Sequence, residues 1–511
     1  MYTDGYVMGI DAGTESIRVG IFDLAGNPKV FVAEAYPTYF PKQGWAEQNP
    51  DEWENALKCA IRKALHSSGI DASKILGISM DATIGTIVFM DGHYRHLGNS
   101  IIWMDVRAVR QFEQLLSLNH PALALNPTAE WPIPKIMWIK ENLPEVYRDT
   151  KVILEYTGWL IFKLTGNIMA SLSHSTSRWF YNRGKGGYPF DLFGMTGLDD
   201  LQKKLPDYTP GVGEPAGSLL KEFAAETGLP FGIPVAVGCP DGIAAMIGLN
   251  AFRPGKPVMI CGTSHVHLIV SDKEIHTAGI IGSYPDAVVK GLHTIEGGQV
   301  TTGAVLKWYR DHFLQSCLTQ AAEKRKNVYE YLDSLALKIP VGSEGLILLE
   351  YFQGNRTPYQ DANARGMLWG LSLKHTPAHI YRAILEGVVY GTNLIFHTIR
   401  SHGVQINQVV ACGGMTKSAL WLKIHADMCN IPISITEVQE ASILGSAIVA
   451  AKNAGMYRSL DEAANYMVRE KQVILPDGKT HEEYLPYYDL YCRTYPQIKG
   501  LMKDMGNLLN W

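Results

Sequence analysis

The sequence lacks the patterns that most directly indicate a zinc site, a redox-active cysteine pair or a membrane-spanning segment. None of its seven cysteines forms a Cys-x-x-Cys pair, which argues against a zinc site or a thioredoxin-like motif. No apolar run reaches the length that a bilayer-spanning helix needs. We expect no signal peptide, because no basic segment followed by a long apolar stretch opens the chain. A cytoplasmic protein with buried, reduced thiols is the resulting prediction.

The sequence also has little net charge. The formal charge is -4 over 511 residues, so no basic excess indicates a nucleic acid or an anionic membrane as a partner. Apolar residues make up 46% and charged residues 19% of the chain, as in an ordinary globular protein. A chain of this length exceeds one hydrophobic core, so we expect at least two large domains.

A Walker-type phosphate loop is missing as well. Residues 477–480 read Asp-Gly-Lys-Thr and resemble the end of such a loop, but Val473 stands where its first glycine is required. The segment also lies in a polar tail. Any nucleotide phosphates must therefore be held by other turns.

Three glycine-bearing turns follow apolar runs and could hold phosphates. The first spans residues 11–14 inside a predicted β-hairpin at 7–22, and the others lie at 262–264 and 413–416. Small residues let backbone N–H groups approach an anion closely, and Asp11 can hold Mg²⁺ beside phosphate oxygens. A single turn of this kind could be an ordinary surface turn. Three of them, spread over two halves of the chain, predict a nucleotide held between domains.

Residues 259–270 repeat the strand, Gly-Thr turn and return strand of residues 7–22. This likeness predicts related domains at 1–250 and 251–459, followed by a helical C-terminal extension at 460–511. Helices are predicted at 50–66, 303–313, about 377–399 and 418–430, with a helical segment at 130–165; strands are predicted at 75–90, 344–349 and 408–412.

Asp241 lies in the segment Gly-Cys-Pro-Asp-Gly at 238–242, which ends an apolar strand and opens a helix of small residues. An aspartate there would point outward from the carboxyl edge of a sheet, where α/β proteins bind ligands. The alternative is a helix N-cap, a role for which aspartate is well suited.

Two neighbouring strands end in residues that suit a polyol. Residues 81–83 read Asp-Ala-Thr, and residues 103–107 contain Trp103, Asp105 and Arg107. An aromatic ring can stack on the C–H face of a sugar while charged groups bind its hydroxyls. The alternative is a core tryptophan beside a surface Asp–Arg pair.

Glu130 and Lys135 flank the apolar segment Trp-Pro-Ile-Pro at 131–134. Charged groups in such a setting are often partly buried and paired. We therefore expect both residues to be partly buried and paired.

The chain resembles the FGGY carbohydrate kinases from the first hairpin to about Tyr457. The resemblance rests on MGIDAGTESIRVGIFD (8–23), GWAEQNPDEW (44–53), IIWMDVRA (101–108), GCPDG (238–242), ICGTS (260–264), EGGQVTTGAVLKWYRD (296–311), GMLWGLSLKHTPAHIYRAILEG (366–387), ACGGMTKSALW (411–421) and EASILGSAIVAAKNAG (440–455). Within the family, the segments most similar to the ribulokinases, especially the D-ribulokinase type, are 81–83, 130–135, 177–181 and 354–358.

This resemblance implies an α/β fold of two ribonuclease-H-like domains, of the actin/hexokinase ATPase type, with ATP and sugar in a central cleft. It implies ATP- and Mg²⁺-dependent phosphorylation of a small ketose, foremost a pentulose such as D-ribulose, with L-ribulose, D-xylulose or a polyol as alternatives. A regulator that binds sugar and nucleotide without turnover, and an actin- or chaperone-like ATPase, are the rival classes. A homodimer is common in the family.

The resemblance also implies residue roles. Asp241 would be the catalytic base and, with Asp11, a metal ligand. The sugar would be surrounded by Asp81, Ala82, Trp103, Asp105, Arg107, Glu130, Lys135 and Asp241. The nucleotide would be bound by Gly13, Thr14, Gly262, Thr263, Gly303, Lys307, Gly413, Gly414, Met415 and Ser418. The chain departs from the family pattern at Pro240 and at Glu15, where serine or threonine is common.

Overall fold

The computed structural model describes residues 5–277 and 279–509, and the chain divides into two compact units. The first unit contains the chain up to Phe252 together with Gly282–Thr294 and Glu440–Arg469, and the second contains the remainder. Two units agree with the number of large domains expected from the length. The segment 440–469, which the predicted boundaries assign to the second domain and the extension, clusters with the first unit.

Strands and helices alternate along the chain, as in an α/β fold. The strands are β1 (Tyr6–Ala12), β2 (Ser16–Asp23), β3 (Pro28–Ala35), β4 (Glu47–Gln48), β5 (Ile75–Ala82), β6 (Ile87–Met90), β7 (Ser100–Ile101), β8 (Val152–Glu155), β9 (Pro215–Ser218), β10 (Pro234–Ala236), β11 (Cys239–Pro240), β12 (Val258–Cys261), β13 (His265–Ser271), β14 (Gly282–Pro285), β15 (His293–Gln299), β16 (Ile347–Leu349), β17 (Met367–Trp369), β18 (Val409–Gly413), β19 (Ile433–Thr436) and β20 (Glu470–Ile474).

The helices carry most of the remaining chain. They are α1 (Pro50–Ser68), α2 (Val109–Ser117), α3 (Pro132–Asn142), α4 (Pro144–Asp149), α5 (Tyr156–Thr165), α6 (Leu172–Arg178), α7 (Phe190–Met195), α8 (Lys221–Thr227), α9 (Asp241–Gly248), α10 (Gly303–Phe313), α11 (Gln315–Glu323), α12 (Val328–Ala336), α13 (Pro377–Ser401), α14 (Ala419–Cys429), α15 (Ala441–Asn453), α16 (Leu460–Met467) and α17 (Gly478–Leu509). The helices predicted at 50–66, 303–313, 377–399 and 418–430 are confirmed within a few residues.

Local sequence sets the boundaries of α1. The side chain of Asn49 accepts a hydrogen bond from the Asp51 N–H at 2.9 Å, and Pro50 occupies the first helical position. Trp53 begins the apolar stripe that the helix buries. Gly69, with φ of 63°, ends the helix in the left-handed conformation that glycine adopts most easily.

The main sheet of the first unit has the strand order β3-β2-β1-β5-β10-β9, with β11 also pairing with β5. The strands β1 and β2 form the predicted hairpin, in which Val7 lies opposite Phe22. Both β1 and β11 run parallel to β5. Because these three strands point the same way, their carboxyl ends meet at one edge of the sheet, where α/β proteins place ligands.

Helix α15 belongs to the first unit and packs against β1, β5 and α9. A Cβ atom on Gly445 would lie 1.8 Å from the carbonyl oxygen of Ala244, and one on Gly248 would lie 1.9 Å from that of Ala441. Only glycine permits backbones to approach so closely. This crossing explains why both α9 and α15 are rich in small residues.

The sheet of the second unit repeats the arrangement of the first. The strands β12 and β13 form an antiparallel hairpin, which confirms the one predicted from residues 259–270. The strand β18 runs parallel to β12, and Cys261 lies opposite Gly413. The turns that follow β12 and β18, both predicted to hold phosphate, therefore lie at the same edge.

Helix α17 packs into the core of the second unit through tyrosines. The Tyr491 hydroxyl donates to Oε2 of Glu350 at 2.8 Å, and the Tyr484 hydroxyl donates to Oε1 of Glu386 at 3.4 Å. Tyr484, Tyr491 and Tyr495 are each 1% exposed. Residues 478–509 are thus part of the packed body of the unit.

Three segments differ from the sequence prediction. The strand predicted at 75–90 is interrupted after Ala82, and β6 belongs to a separate sheet with the order β4-β7-β6-β8. The strand β8 lies within the segment predicted to be helical at 130–165, and β20 lies within the predicted helical C-terminal segment. These runs are too short to show a period of their own, and their pairing with distant strands determines their conformation.

Among residues 5–277 and 279–509, no helix combines the length and apolar character that crossing a bilayer requires. No disulfide bond joins any of the seven cysteines, all of which lie in the described part of the chain. Five of them are buried, namely Cys239, Cys261, Cys317, Cys412 and Cys429.

Candidate functional site

Three carboxylates meet at the carboxyl edge of the main sheet in the first unit. Asp11 of β1 lies opposite Asp81 of β5, and Cys239 of β11 lies opposite Asp81 on its other side. Asp241 is the first residue of α9, directly after β11. Ala82 follows Asp81 and is buried. The sheet register therefore brings together three acidic residues from distant parts of the sequence.

Two of these carboxylates are buried, and burial raises their pKa values. Asp11 and Asp81 are 1% and 0% exposed, whereas Asp241 is exposed. Burial raises the pKa of Asp11, although Arg18 and Ser442 act in the opposite direction. The pKa of Asp81 lies well above its usual range, first because of burial and then because of the Asp11 charge.

Two serines of α15 hold the buried carboxylates. Ser446 donates to Oδ2 of Asp81 at 2.7 Å, and Ser442 donates to Oδ2 of Asp11. Arg18 also donates to Oδ2 of Asp11, at 2.5 Å. In the described part of the chain, the other oxygen of each carboxylate, Oδ1, has no hydrogen-bond partner.

The unpartnered Oδ1 of Asp11 fits a hard cation. Mg²⁺ binds oxygen ligands and uses one or two carboxylates together with phosphate oxygens. An ion at this edge would compensate the burial of negative charge. Within residues 5–277 and 279–509, no group of three or more His, Cys, Asp or Glu side chains is arranged to hold a metal ion. Phosphate and water oxygens would therefore have to complete the coordination.

Arg18 was not among the residues that the sequence predicted. It lies opposite Asp11 in the first hairpin and also donates to Oε2 of Glu440 at 2.9 Å. Opposite charges attract when they face each other across antiparallel strands, so the hairpin register could have identified this pair. Ser442 and Ser446 give no such signal, because only the tertiary fold brings α15 to this sheet.

The turn of the first hairpin presents Thr14. The Gly13 N–H donates to the Ser16 carbonyl at 3.1 Å and closes the turn. The Gln48 side chain donates to the Thr14 carbonyl at 2.6 Å. Glu15 is exposed, so the acidic residue that departs from the family pattern is in contact with solvent.

Trp103 lies beside this turn. Its indole Nε1 donates to Oγ1 of Thr14 at 2.9 Å, and the residue is 37% exposed. The segment reverses direction here, closed by the Asp105 N–H donating to the Ile102 carbonyl at 3.1 Å. Trp103 is therefore available to a ligand and is not a core tryptophan.

Asp105 and Arg107 form a buried ion pair next to Trp103. Nε and Nη2 of Arg107 donate to Asp105 at 2.9 and 2.7 Å, and Nη2 also donates to Glu47 at 2.8 Å. The guanidinium carbon lies 3.9 Å from the centre of the Trp45 ring, a favourable cation–π distance. These contacts stabilise the segment that carries Trp103, and direct contact of the pair with a sugar stays a prediction.

Lys135 also stabilises the segment that carries Trp103. It is fully buried, and its Nζ donates to the carbonyls of Gly85 at 2.9 Å and Ile102 at 2.8 Å. Burial lowers the pKa of Lys135 to about 8, although the Asp105 charge opposes this. Glu130 is half-buried and accepts a hydrogen bond from Thr128.

In the second unit, a cavity of about 460 Å³ opens beside the turn after β12. Gly262, Thr263, Gly303 and Lys307, all predicted to bind nucleotide, lie in its wall. The remaining lining residues are Ala304, Trp308, Asp311, His312 and Tyr329. The volume lies within the range of small-molecule sites.

Glycine allows the turns of this unit to pack tightly. A Cβ atom on Gly303 would lie 2.4 Å from the Gly262 carbonyl oxygen. Gly413 has φ of 90°, and a Cβ atom there would lie 2.4 Å from the carbonyl oxygen of the last residue of β12. Gly414 is exposed and Met415 is buried. Backbone groups of both turns are therefore accessible at one edge.

Ser418 caps helix α14 next to these turns. Its Oγ accepts the Trp421 N–H at 3.0 Å and donates to Oδ2 of Asp333 at 2.7 Å. The Tyr381 hydroxyl donates to Oδ1 of Asp333 at 2.8 Å. Asp333 thus accepts on both oxygens, as a carboxylate does, even though burial raises its pKa.

The predicted site residues form two sets, one in each unit. The first unit holds Asp11, Gly13, Thr14, Asp81, Ala82, Trp103, Asp105, Arg107, Glu130, Lys135 and Asp241. The second holds Gly262, Thr263, Gly303, Lys307, Gly413, Gly414, Met415 and Ser418.

Comparison with known proteins identifies similar families and structures. Residues 6–248 match the FGGY family of carbohydrate kinases, N-terminal domain, and residues 258–454 match the C-terminal domain of that family. A ribulokinase of Geobacillus thermodenitrificans is 31% identical, over 98% of this chain and 96% of its own. A xylulose kinase of Staphylococcus epidermidis is 28% identical over 99% of both chains.

Solved structures share the fold over nearly the whole chain. A xylulose kinase from Rhodospirillum rubrum superposes with a TM-score of 0.88 at 25% identity, over 98% of this chain and 100% of that one. A glycerol kinase of Plasmodium falciparum, solved with ADP, superposes with a TM-score of 0.84 at 21% identity, over 96% and 98% of the two chains.

Proposed function

Because the chain belongs to the FGGY family of carbohydrate kinases, we propose that it transfers the terminal phosphoryl group of ATP to a hydroxyl of a small ketose. A relative named ribulokinase is 31% identical, which supports a pentulose, with D-ribulose as the first candidate. A relative named xylulose kinase is 28% identical. Because these identities differ so little, L-ribulose, D-xylulose and polyols are the alternatives.

The observation that carries this proposal is the position of Asp241. Its carboxylate is exposed at the start of α9, on the sheet edge that also carries Asp11 and Asp81. As a general base, Asp241 would accept the proton of the sugar hydroxyl while the hydroxyl oxygen attacks phosphorus and ADP leaves. Phosphoryl transfer depends mainly on positioning and on charge neutralisation. Asp241 would position the sugar hydroxyl, and a cation bound at this edge would neutralise the phosphate charge.

We assign Mg²⁺ to Asp11 and Asp241. Bound there, the ion would neutralise charge on the phosphate oxygens. Asp11 suits this role because Arg18 and Ser442 hold Oδ2 while Oδ1 has no partner among the described residues. Arg18 keeps the buried carboxylate paired when no cation is bound.

The nucleotide would use backbone donors and a few side chains. Small residues in the turns let N–H groups approach phosphate oxygens. The residues assigned to nucleotide and phosphate are Gly13, Thr14, Gly262, Thr263, Gly303, Lys307, Gly413, Gly414, Met415 and Ser418.

The sugar would lie on the exposed ring of Trp103. Stacking on its C–H face and hydrogen bonds to its hydroxyls would orient it toward Asp241. Asp81, Ala82 and Glu130 would surround it, and Asp105, Arg107 and Lys135 would set the shape of the segment that carries Trp103.

A coupled assay of ADP formation across pentuloses, hexuloses and polyols tests the proposal. Strong stimulation by one ketopentose, with a phosphorylated sugar found by mass spectrometry, is the expected result. A regulator would bind sugar in calorimetry without forming ADP. An actin- or chaperone-like ATPase would form ADP at a rate that no sugar changes.

A cytoplasmic location and a homodimer are also part of this proposal. The location is supported by the seven cysteines, none of which forms a disulfide bond in the described part of the chain. The dimer rests on the resemblance to a family in which homodimers are common. Light scattering on the purified protein would distinguish one chain from two.

A further inference from the structure

A hydrogen bond joins two residues that were assigned to different ligands. The indole Nε1 of Trp103 donates to Oγ1 of Thr14 at 2.9 Å. Trp103 is assigned to the sugar and Thr14 to the phosphates. Neither role requires this hydrogen bond, which joins a residue proposed to contact the sugar to a residue proposed to contact the phosphates.

This hydrogen bond determines whether the Thr14 hydroxyl donates to a ligand or accepts from it. A threonine hydroxyl has one proton to donate and two lone pairs to accept with. Trp103 occupies one lone pair, and in the described part of the chain no acceptor takes the proton of Thr14. Thr14 is half-buried, so a ligand can reach the hydroxyl. Its proton is left for an external acceptor such as a phosphate oxygen.

The segment that carries Trp103 is held by contacts that do not involve Thr14. The chain reversal around it is closed by the hydrogen bond from Asp105 to Ile102, and Lys135 donates to the same Ile102 carbonyl. Arg107 fixes Asp105 through three hydrogen bonds from its guanidinium. These contacts fix the chain on both sides of Trp103, and from this fixed segment the indole N–H reaches Oγ1 of Thr14.

We propose that Trp103 is a positioning residue for Thr14: its N–H orients the Thr14 hydroxyl as a donor toward the nucleotide phosphates, while its ring face is left for the sugar. This inference rests on the proposed function, in which Thr14 contacts phosphate. Phosphate oxygens only accept hydrogen bonds, so a hydroxyl whose proton faces outward is ready to bind them. Without the indole N–H, the hydroxyl rotates freely and its proton is shared with water.

Variants that separate the ring from its N–H test this proposal. Trp103→Phe keeps an aromatic face and removes the donor, and Thr14→Val removes the hydroxyl but keeps the shape. Thr14→Ser is the matched control because it retains the hydroxyl. For each variant and for the Trp103→Phe/Thr14→Val pair, the sugar KM, the ATP KM, kcat and the ADP Kd without sugar are measured.

The proposal expects a loss on the nucleotide side from every variant that lacks the indole N–H. Trp103→Phe and benzothienylalanine at position 103 should both weaken ADP binding and lower kcat/KM for ATP about 5- to 10-fold, the value of one typical hydrogen bond. The sugar KM should change less than about 2-fold with benzothienylalanine, which keeps the bicyclic ring, whereas the smaller ring of Trp103→Phe also weakens stacking on the sugar. Thr14→Val should lose at least as much, and the double variant should match Thr14→Val within about 2-fold, because both remove the same interaction. Thr14→Ser should retain most of the affinity.

Two results would overturn the proposal. One is a Trp103→Phe variant in which only the sugar KM rises, and the other is a double variant in which the two losses multiply. Benzothienylalanine at position 103, which replaces the N–H by sulfur and keeps the bicyclic ring, decides the proposal if Trp103→Phe does not fold. The ADP Kd is measured without sugar, so the cycle decides the proposal even if no sugar stimulates the unmodified protein. That last outcome would refute the proposed kinase function instead.

Discussion

Ser446 of α15 donates a 2.7 Å hydrogen bond to Asp81 of β5 between positions 365 residues apart in the chain. Asp81 is fully buried, and burial is the main reason that its pKa is raised. Asp11, the neighbouring carboxylate, has two donors, Arg18 and Ser442. Ser442 therefore shares its carboxylate with a second donor, Arg18, whereas the hydrogen bond described for Asp81 comes from Ser446.

Replacing Ser446 by alanine should destabilise the protein. Oδ2 of Asp81 would lose the donor that Ser446 provides, which costs about 1–3 kcal/mol for a buried group. Ser442→Ala is the matched control on the same helix, because Arg18 still donates to Asp11 after the change. Urea denaturation should show the larger loss for Ser446→Ala. An equal or larger loss for Ser442→Ala would contradict this interpretation.

The Asp241→Asn variant should fold and bind ADP but lose about 10²- to 10⁴-fold in turnover, as expected for a missing general base. Asparagine is nearly isosteric and cannot accept the sugar proton. Steady-state kinetics and ADP calorimetry give the two readouts. Asp207→Asn, at an exposed position outside the predicted sites, controls for the loss of one carboxylate. Full activity of Asp241→Asn would remove its role as the base.

The nucleotide base should be selected through Ser418. Its proton goes to Asp333 and one lone pair accepts the Trp421 N–H, so the hydroxyl offers a ligand only an acceptor. Adenine presents an amino group at position 6 and hypoxanthine presents a carbonyl. Calorimetry should therefore show that ADP binds about 10- to 100-fold more tightly than IDP.

Asp333→Asn should weaken this base preference, because an amide can donate to Ser418 and release its proton for the ligand. Tyr381→Phe is the matched control, since it removes the other donor to Asp333 and leaves the bond from Ser418 in place. Equal affinity of the unmodified protein for ADP and IDP would argue against the acceptor role.

Stability should fall as the pH decreases below about 6.5, the usual histidine pKa. Burial lowers the pKa of His267 to about 4 and that of His425 to about 3. Because these rings are buried in their neutral form, their contribution to stability is fully present above pH 6.5. As the pH falls toward about 4, the unfolded chain binds more protons than the folded chain does, and this contribution is lost. His267→Leu should reduce the slope of the free energy of unfolding against pH by about 1.4 kcal/mol per pH unit in that window.

Urea denaturation at several pH values between 4.5 and 7.5 measures this slope. His93→Leu, at an exposed position, controls for the removal of a histidine. A slope that does not change in His267→Leu would show that its buried ring does not set the pH dependence.

Much of the fold could be read from short-range patterns. The helix at 303–313 was predicted with its observed bounds, because a glycine-rich strand end precedes it and its apolar residues recur at helical spacing. Both hairpins were predicted, because each joins two apolar runs through a Gly-Thr turn. The return of α15 to the first unit was not predicted, since its position depends on contacts with residues far along the chain.

The partners of charged side chains were harder to predict. Contact of Asp105 and Arg107 with sugar hydroxyls stays a prediction, and the structure shows in addition that they pair with each other and that Arg107 contacts Glu47 and Trp45. Sequence spacing showed that the two residues are close, and it could not show that a separate segment supplies their other partners. Lys135 was expected to be buried and paired, and it is buried against carbonyl oxygens.

The first unit cannot be completed early in protein synthesis. Its sheet edge needs α15, which leaves the ribosome only after residues 295–439 have been translated. Domains commonly fold from the N-terminus as they emerge, but here Asp11 and Asp81 must wait for Ser442 and Ser446. A nascent chain arrested at residue 439 should therefore be cleaved readily by protease, and one extended well beyond residue 469 should resist cleavage of its N-terminal part.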